Sequence, residues 1–249
     1  MRGELKMKAI VLAAGMGKRL HSEEFNLPKV LRCANGKPLV GYVLDGIDFI
    51  KPEDIVIVAG YMREKVIETL GDNYSYAVQE EQKGTGHAVQ CAKDYFDGYD
   101  GDVLVLYGDM PLFTKETFKA VIDRHIESGA DCTLLTADIE DPPTYGRIVR
   151  DADGNLEDIV EDKDCTPEQK AITELNVGVY VFKSKLLFDG LKEIKNANAQ
   201  GEYYLTDMPK IFISQGRKVA SYTIKDSSQI YGVSTEEDLA FCEDILSKR

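Results

Sequence analysis

Residues Lys8 to Arg19 read K-A-I-V-L-A-A-G-M-G-K-R, a short apolar run that ends in a loop of small residues. The continuous apolar stretch Lys8–Ala14, stopped by glycine, has the pattern of a parallel strand buried on both faces. Gly15 and Gly17 carry no Cβ, so backbone N–H groups of the loop can come close to a polyphosphate. Lys18, Arg19 and, further on, Lys29 add positive charge. The spacing is not a Walker loop, and the third glycine of the dinucleotide fingerprint G-x-G-x-x-G is missing, which argues against a dinucleotide-dependent oxidoreductase. Taken alone, the loop fits either a phosphate cradle or a plain tight turn from strand to helix.

Outward from this loop, strand-like and helix-like segments alternate. Strands are predicted at 54–59 (DIVIVA), 74–79 and 102–107 (DVLVLY), and helices at 38–50, 61–70, 85–96 and 114–128. Pro38 suits a first helical turn, and Gly71 and Gly129 suit helix ends. In the helix 114–128, Phe118, Val121, Ile122 and Ile126 are expected to share the buried face. This rhythm predicts an α/β fold with a mostly parallel mixed sheet flanked by helices. The second half is less regular. Strands are expected at 131–138, 173–182 and 218–224, with a hairpin at 147–161 turning on Asp153-Gly154-Asn155. Helices are expected at 184–191, 204–215 and 235–247. No repeat, low-complexity tract or long linker divides the chain, so one domain with a smaller second lobe is expected over residues 1–249.

The 249 residues carry a net charge of −13, with 43% hydrophobic and 29% charged residues. A chain so acidic is not expected to take nucleic acid or an anionic membrane as a general partner. Five cysteines without a C-x-x-C pair point to reduced thiols and a cytoplasmic location. The N-terminal apolar run is too short for a signal peptide, and nothing reaches the length of a membrane span. Met7 reads as the start of the first strand, with residues 1–6 an extension.

Several residues have the chemistry of a phosphoryl-transfer site. Arg19 and Lys29 could bind a triphosphate and stabilise charge at the α-phosphate; either could equally be a solvated surface cation. Asp109 follows a buried strand at its C-terminal end, where open α/β sheets collect ligands, and could hold Mg²⁺ or cap the turn before Pro111. The Gln79 carboxamide can donate and accept at once, which suits a ligand edge that carries both donors and acceptors. Thr85 could cap the helix that follows. Glu161 and Asn176 lie near strand ends; spacing alone does not separate a sugar site from ordinary edge chemistry. His87 is expected to be structural, and His21 and His125 to lie on the surface.

The motifs in order resemble the sugar-phosphate nucleotidyltransferases. The carriers are L-A-A-G-M-G-K-R at 12–19, L-P-K-V-L at 27–31, Q-E-E-Q-K-G-T-G-H-A at 79–88 and Y-G-D-M-P-L at 107–112. Y-G-R at 145–147, I-V-E at 159–161, N-V-G at 176–178 and Q-G-E-Y-Y-L-T-D at 200–207 continue the series. Together they are most similar to the uridyltransferase domain of the bacterial bifunctional N-acetylglucosamine-1-phosphate uridyltransferases. The resemblance implies a Rossmann-like nucleotidyltransferase fold, with a nucleotide-binding half at about 7–140 and a sugar-binding half at about 141–249. It implies that UTP and N-acetylglucosamine 1-phosphate give UDP-N-acetylglucosamine and pyrophosphate with Mg²⁺. It assigns Leu12, Ala13, Ala14, Gly15, Gly17, Lys29, Gln79, Gly84 and Thr85 to the nucleotide, and Arg19, Lys29 and Asp109 to catalysis. Tyr107, Gly108, Gly146, Glu161 and Asn176 fall to the sugar, with Tyr204 and Thr206 as weaker candidates.

The chain departs from that pattern in three places. The family has asparagine as second metal ligand in a G-V-N context, where this chain has Gly232-Val233-Ser234, so Ser234 is expected beside the metal as a poorer ligand than an amide oxygen. The segment from His21 to Pro28 is a few residues longer than the closest pattern, which implies a differently shaped lid. The hexapeptide repeats of the family's acetyltransferase β-helix are absent, so acetyl transfer is not expected, and the trimeric state that the β-helix supports does not carry over. Ser234 and the longer loop keep two alternatives open: another sugar or alcohol phosphate as substrate, or a nucleotide-sugar binding protein without turnover.

Overall fold

The computed structural model describes residues 6–20 and 24–249; His21 and the side chain of Lys18 lie outside the described part. In chain order, β1 spans Met7–Ala13, β2 Cys33–Ala34, β3 Lys37–Pro38, α1 Leu39–Gly46, β4 Ile55–Ala59, α2 Arg63–Leu70, β5 Ser75–Val78 and α3 Thr85–Cys91. Next come β6 Asp102–Tyr107, α4 Lys115–Ser128, β7 Cys132–Asp138, β8 Arg147–Arg150, β9 Leu156–Val160, α5 Pro167–Lys170 and β10 Glu174–Lys183. The chain continues with α6 Ser184–Gly190, α7 Met208–Ser214, β11 Val219–Thr223 and α8 Glu236–Ser247.

The central sheet has the strand order β11-β7-β10-β6-β1-β4-β5. β1 runs parallel to both β4 and β6, and β4 runs parallel to β5. The apolar run that opens the chain therefore lies inside the sheet, buried on both faces. Ala9, Val11 and Ala13 enter one apolar cluster, while Ile10, Leu12 and Ala14 enter the other. β4 and β6 divide their side chains the same way. The chain moves outward from β1 to β4 and β5, then returns to β6 on the opposite side. Loops leaving β1 and β6 thus diverge, and a crevice opens at the strands' C-terminal ends.

β10 breaks the parallel pattern. It runs antiparallel to β6 and to β7, and its pairing with β7 shifts register between Asn176 and Tyr180. The hairpin β8–β9 hangs from this irregular end, with Leu175 opposite Arg147. This is the smaller lobe. α8 then packs on the loop after β1: Leu239 and Cys242 join Leu20, Ala34, Leu39, Leu112 and Val233 in a third cluster.

Some elements differ from the sequence reading. The helix expected from Pro38 starts at Leu39 and ends at Gly46, because Pro38 pairs with Cys33 in the β2–β3 ribbon. The helix expected over 85–96 gives way after Cys91 to a 3₁₀ turn at Lys93–Phe96. His125, expected on the surface, is 1% exposed, and its Nδ1 lies 2.9 Å from the Thr133 hydroxyl. Ile126, expected inside, is 47% exposed. The buried face of α4 is 118, 121, 122 and 125, an i, i+3, i+4, i+7 series in which histidine takes the last place. Among the described residues no helix is long and apolar enough to cross a membrane.

Phe212 in α7 is fully buried and meets Phe182 edge-on at 5.9 Å between ring centroids. Phe212→Ala should cost about 3–5 kcal/mol in urea unfolding; a loss below about 1 kcal/mol would show that α7 is not part of the core. Asp207 has its pKa raised to about 6 by burial and by Asp158, with Lys210 opposing. A carboxyl raised on folding favours the folded state only while protonated, so this contribution is lost as pH rises from about 4 through about 6. Asp207→Asn should therefore raise the melting temperature at pH 7.5, and the gain should vanish by about pH 4.

Candidate active site

The loop after β1 forms one wall of a cleft of about 350 Å³. Leu12, Ala14, Gly15, Gly17 and Arg19 line it, as do Lys29, Gln79, Gly84, Thr85, Tyr107, Asp109 and Ser234. A Cβ placed on Gly15 would meet no protein atom within 4 Å. Smallness at Gly15 therefore serves what enters the cleft, not packing within the protein. Gly17 adopts φ +71°, a left-handed conformation that favours glycine, and starts a single 3₁₀ turn closed by the Leu20 N–H on its carbonyl at 3.0 Å. Ala13 is 1% exposed and faces the core instead of the cleft. Gly108 does not line this cleft; its N–H donates to the Leu12 carbonyl at 2.9 Å, and a Cβ there would stand 3.1 Å from that oxygen. Its role is to let the ends of β1 and β6 approach. Gly60, which sequence reasoning missed, does the same beneath the loop, where a Cβ would stand 2.9 Å from the Ala14 Cβ.

Gln79 follows β5 at the far end of the cleft and is buried. Its Nε2 lies 3.0 Å from the Gly84 carbonyl and 3.0 Å from His87 Nδ1. The carbonyl can only accept, so the atom facing it is the amide nitrogen. Both amide protons are then engaged, and the side chain offers a ligand its oxygen alone, not the donor and acceptor together that the sequence suggested. Gly84 has φ +106°, and a Cβ there would sit 2.6 Å from the Tyr203 carbonyl. The Gly86 N–H donates to that carbonyl at 2.8 Å. Thr85 does not cap α3: Gly84 holds the cap position, and the Thr85 hydroxyl accepts from the Leu205 N–H at 2.9 Å. The glycines of this motif thus fasten this end of the cleft to the segment 202–205, a contact no local pattern encodes.

Lys29 occupies the junction of the two lobes. Pro28 holds extended backbone ahead of it, and Lys29 opens a 3₁₀ turn whose Val30 and Leu31 are buried. Its ammonium forms an ion pair with Asp109 and donates to the Ser234 hydroxyl at 3.1 Å. The Asp109 carbonyl accepts from the Val233 N–H at 2.9 Å, and the Asp238 carboxylate accepts from the Ser234 N–H at 2.8 Å within the capping box of α8. Arg32, missed in the sequence, is 8% exposed and ties Glu236 of α8 to the Leu20 carbonyl at the end of the glycine loop. Among the described residues no three His, Cys, Asp or Glu side chains form a metal cage. The hard oxygens of Asp109 and Ser234 suit Mg²⁺ shared with substrate phosphates, an ion that takes few protein ligands and keeps water.

A second cleft of about 200 Å³ continues from this corner and shares Tyr107, Asp109 and Ser234 with the first. Gly146, Glu161, Asn176, Gly178 and Tyr145 line its far wall. The buried side-chain oxygen of Asn176 has no hydrogen-bond partner among the described residues. The buried Tyr180 hydroxyl, likewise without a hydrogen-bond partner among the described residues, is a donor beside it. Burial pushes the Glu161 carboxyl up; the Thr206 hydroxyl, donating at 3.0 Å, opposes, and nearby Asp164 and Asp207 reinforce the rise. Gly178, at φ +76°, makes room for the Tyr107 ring, which a Cβ would strike at 2.7 Å. Tyr145 straps the lobes together: its hydroxyl donates to the Ile230 carbonyl at 2.9 Å and accepts from the Gly232 N–H at 3.1 Å. Tyr204 touches neither cleft and instead meets Gln200 through its hydroxyl.

Comparison with known proteins agrees with this geometry. The profile of the family described as Nucleotidyl transferase matches residues 8–232. "Bifunctional protein GlmU" of Geobacillus sp. (strain WCH70) is 44% identical over 245 residues, covering 98% of this chain and 53% of that protein. The protein of the same description from Halalkalibacterium halodurans is 45% identical over 241 residues, covering 97% of this chain and 52% of its own length. The chain thus spans about half the length of the curated relatives it matches. A solved chain described as a "Putative Glucose-1-Phosphate Thymidylyltransferase from Bacillus anthracis" superposes with a TM-score of 0.78 at 21% identity, covering 96% of this chain and 94% of the other, which shows the shared fold. With the family profile matched over nearly its whole length, the chain belongs to the nucleotidyl transferase family.

Proposed function

We propose that the chain joins UTP to N-acetylglucosamine 1-phosphate, giving UDP-N-acetylglucosamine and pyrophosphate. The observation that carries this reading is one trough made of two clefts that share Tyr107, Asp109 and Ser234, with the Lys29 ammonium at their junction. A triphosphate fits the half walled by the glycine loop, and a sugar phosphate fits the half lined by Glu161 and Asn176. The junction is where their phosphates would meet. The relatives named GlmU and the ordered motifs support the choice of substrates.

The chemistry needs positioning and charge neutralisation more than a protein nucleophile. An oxygen of the sugar phosphate attacks the α-phosphorus of UTP, and the bond from that phosphorus to the bridging oxygen of pyrophosphate breaks. Lys29, released from Asp109, turns its ammonium to the α-phosphate and stabilises the charge that gathers there. Arg19, exposed at the cleft mouth, meets the departing phosphates. Asp109 and Ser234 would hold Mg²⁺, which when bound neutralises charge shared between phosphate oxygens. Glu161 accepts from sugar hydroxyls, and the Asn176 oxygen accepts from the acetamido N–H.

Purified protein with Mg²⁺ should release pyrophosphate only when both substrates are present; no release with any sugar phosphate across a panel would refute the reading. Release with a different sugar phosphate would keep the reaction and move the substrate. Lys29→Ala should lower kcat/KM by about 100-fold or more, the effect of removing one transition-state donor. Ser234→Asn should raise turnover, since an amide oxygen reaches further and ligates better than a hydroxyl. An unchanged or lower rate would show a corner rebuilt around serine.

A further inference from the structure

The Lys29 ammonium touches both groups that suit a metal ion. It forms an ion pair with the Asp109 carboxylate and donates to the Ser234 hydroxyl at 3.1 Å. Two hard oxygens thus converge on one point, and a cation of the chain itself stands there. The corner is half closed, with the Lys29 side chain 16% and the Asp109 side chain 23% exposed. No carboxylate other than Asp109 lines both clefts among the described residues. The Asp238 carboxylate is turned away into the cap of α8, where it accepts from the Ser234 and Thr235 N–H groups at 2.8 Å each. The Lys29 backbone is held by the buried Val30 and Leu31 and by the Arg32 N–H on its carbonyl at 3.1 Å. Only its side chain is free to swing.

We propose that Lys29 is a resident cation that keeps divalent metal off Asp109 and Ser234 until a nucleotide phosphate draws the ammonium away, so that metal and nucleotide bind cooperatively. The inference rests on the proposed phosphate-binding role of the first cleft and deepens it. An ammonium and a divalent ion repel at contact distance, and a half-closed corner screens them poorly. With Lys29 in place, Asp109 is already neutralised, and a metal ion alone gains little by entering. A phosphate alone takes the ammonium but leaves the Asp109 carboxylate bare beside its own charge. Both together satisfy every group: the phosphate receives Lys29, and the metal ion receives Asp109 and Ser234. Each ligand therefore raises the affinity of the other by the same factor.

Manganese is the probe, because its paramagnetism reports binding without turnover. Its dissociation constant is measured on the wild type, Lys29→Met, Arg19→Met and the double variant Lys29→Met/Asp109→Asn, without nucleotide and with saturating UMP, which carries one phosphate and no leaving group. Without nucleotide, Lys29→Met should bind Mn²⁺ at least about tenfold more tightly than the wild type. The double variant should lose that gain. Arg19→Met removes an exposed cation from the same cleft and should change the affinity less than about twofold, since an exposed charge is screened. UMP should tighten Mn²⁺ binding about tenfold in the wild type and much less in Lys29→Met, where the seat is already open. An unchanged Mn²⁺ affinity in Lys29→Met, or an equal gain in Arg19→Met, would overturn the inference. A second readout needs no variant: trace acetylation of Lys29 by acetic anhydride, followed by mass spectrometry, should rise in the wild type along the Mn²⁺ titration curve. Manganese that binds at Asp109 and leaves the labelling of Lys29 unchanged would also overturn it. Failure of UMP to bind at all would overturn the nucleotide reading and the coupling to it, while the nucleotide-free measurements still decide whether Lys29 holds the seat.

Discussion

The Lys29 ammonium, held between the Asp109 carboxylate and the Ser234 hydroxyl, joins the parts of the molecule that must cooperate. Asp109 ends the turn after β6, Lys29 follows the glycine loop, and Ser234 lies just ahead of the cap of the last helix. These three come from positions far apart in the chain, and contacts between their segments hold them together. Val233 is tied to Asp109, the capping box fixes Ser234, and Arg32 binds the last helix to the end of the glycine loop. The corner is therefore built before any substrate arrives. In the proposed reaction only the Lys29 ammonium has to turn, from Asp109 to the phosphate, so the corner as a whole needs little reorganisation.

The same arrangement is compatible with the two phosphorylated substrates proposed for a chain of net charge −13. The crevice at the strand ends gathers Lys29, Arg19 and the backbone of a small-residue loop beside Asp109 and Glu202. Local field in a cleft, not net charge, governs which ligand enters. The second cleft differs. There the wall supplies acceptors, the Asn176 oxygen and a Glu161 carboxyl whose pKa is raised by burial, which suits hydroxyl and amide donors better than phosphate.

The sequence was most legible where physics is local. The run before Gly15 could only be a strand buried on both faces, and the divergence of β4 and β6 around it follows from alternating elements. Arg19, Lys29, Gln79 and Asp109 converge on one cleft, and Glu161 and Asn176 on its continuation. What escaped was set by contacts between distant segments. Gly108 looked like a ligand contact and proved to be a backbone approach between β1 and β6. Thr85 looked like a helix cap and proved to receive the Leu205 N–H. Arg32 and Gly60 carry no motif of their own, and the Y-G-R motif that Tyr145 opens does not show its partners; their roles exist only once the loop, the last helix and the second lobe are assembled. His125 and Ile126 show a different limit, since polarity suggested one buried face while the helical period placed another.

The most direct test of the account is a crystal structure of the protein with UDP-N-acetylglucosamine bound. The account predicts the uracil imide against Gln79 Oε1, the diphosphate between the glycine loop and Lys29, and the acetamido group at Asn176. A nucleotide-sugar bound with its base away from Gln79, or with its sugar outside the cleft lined by Glu161 and Asn176, would contradict it.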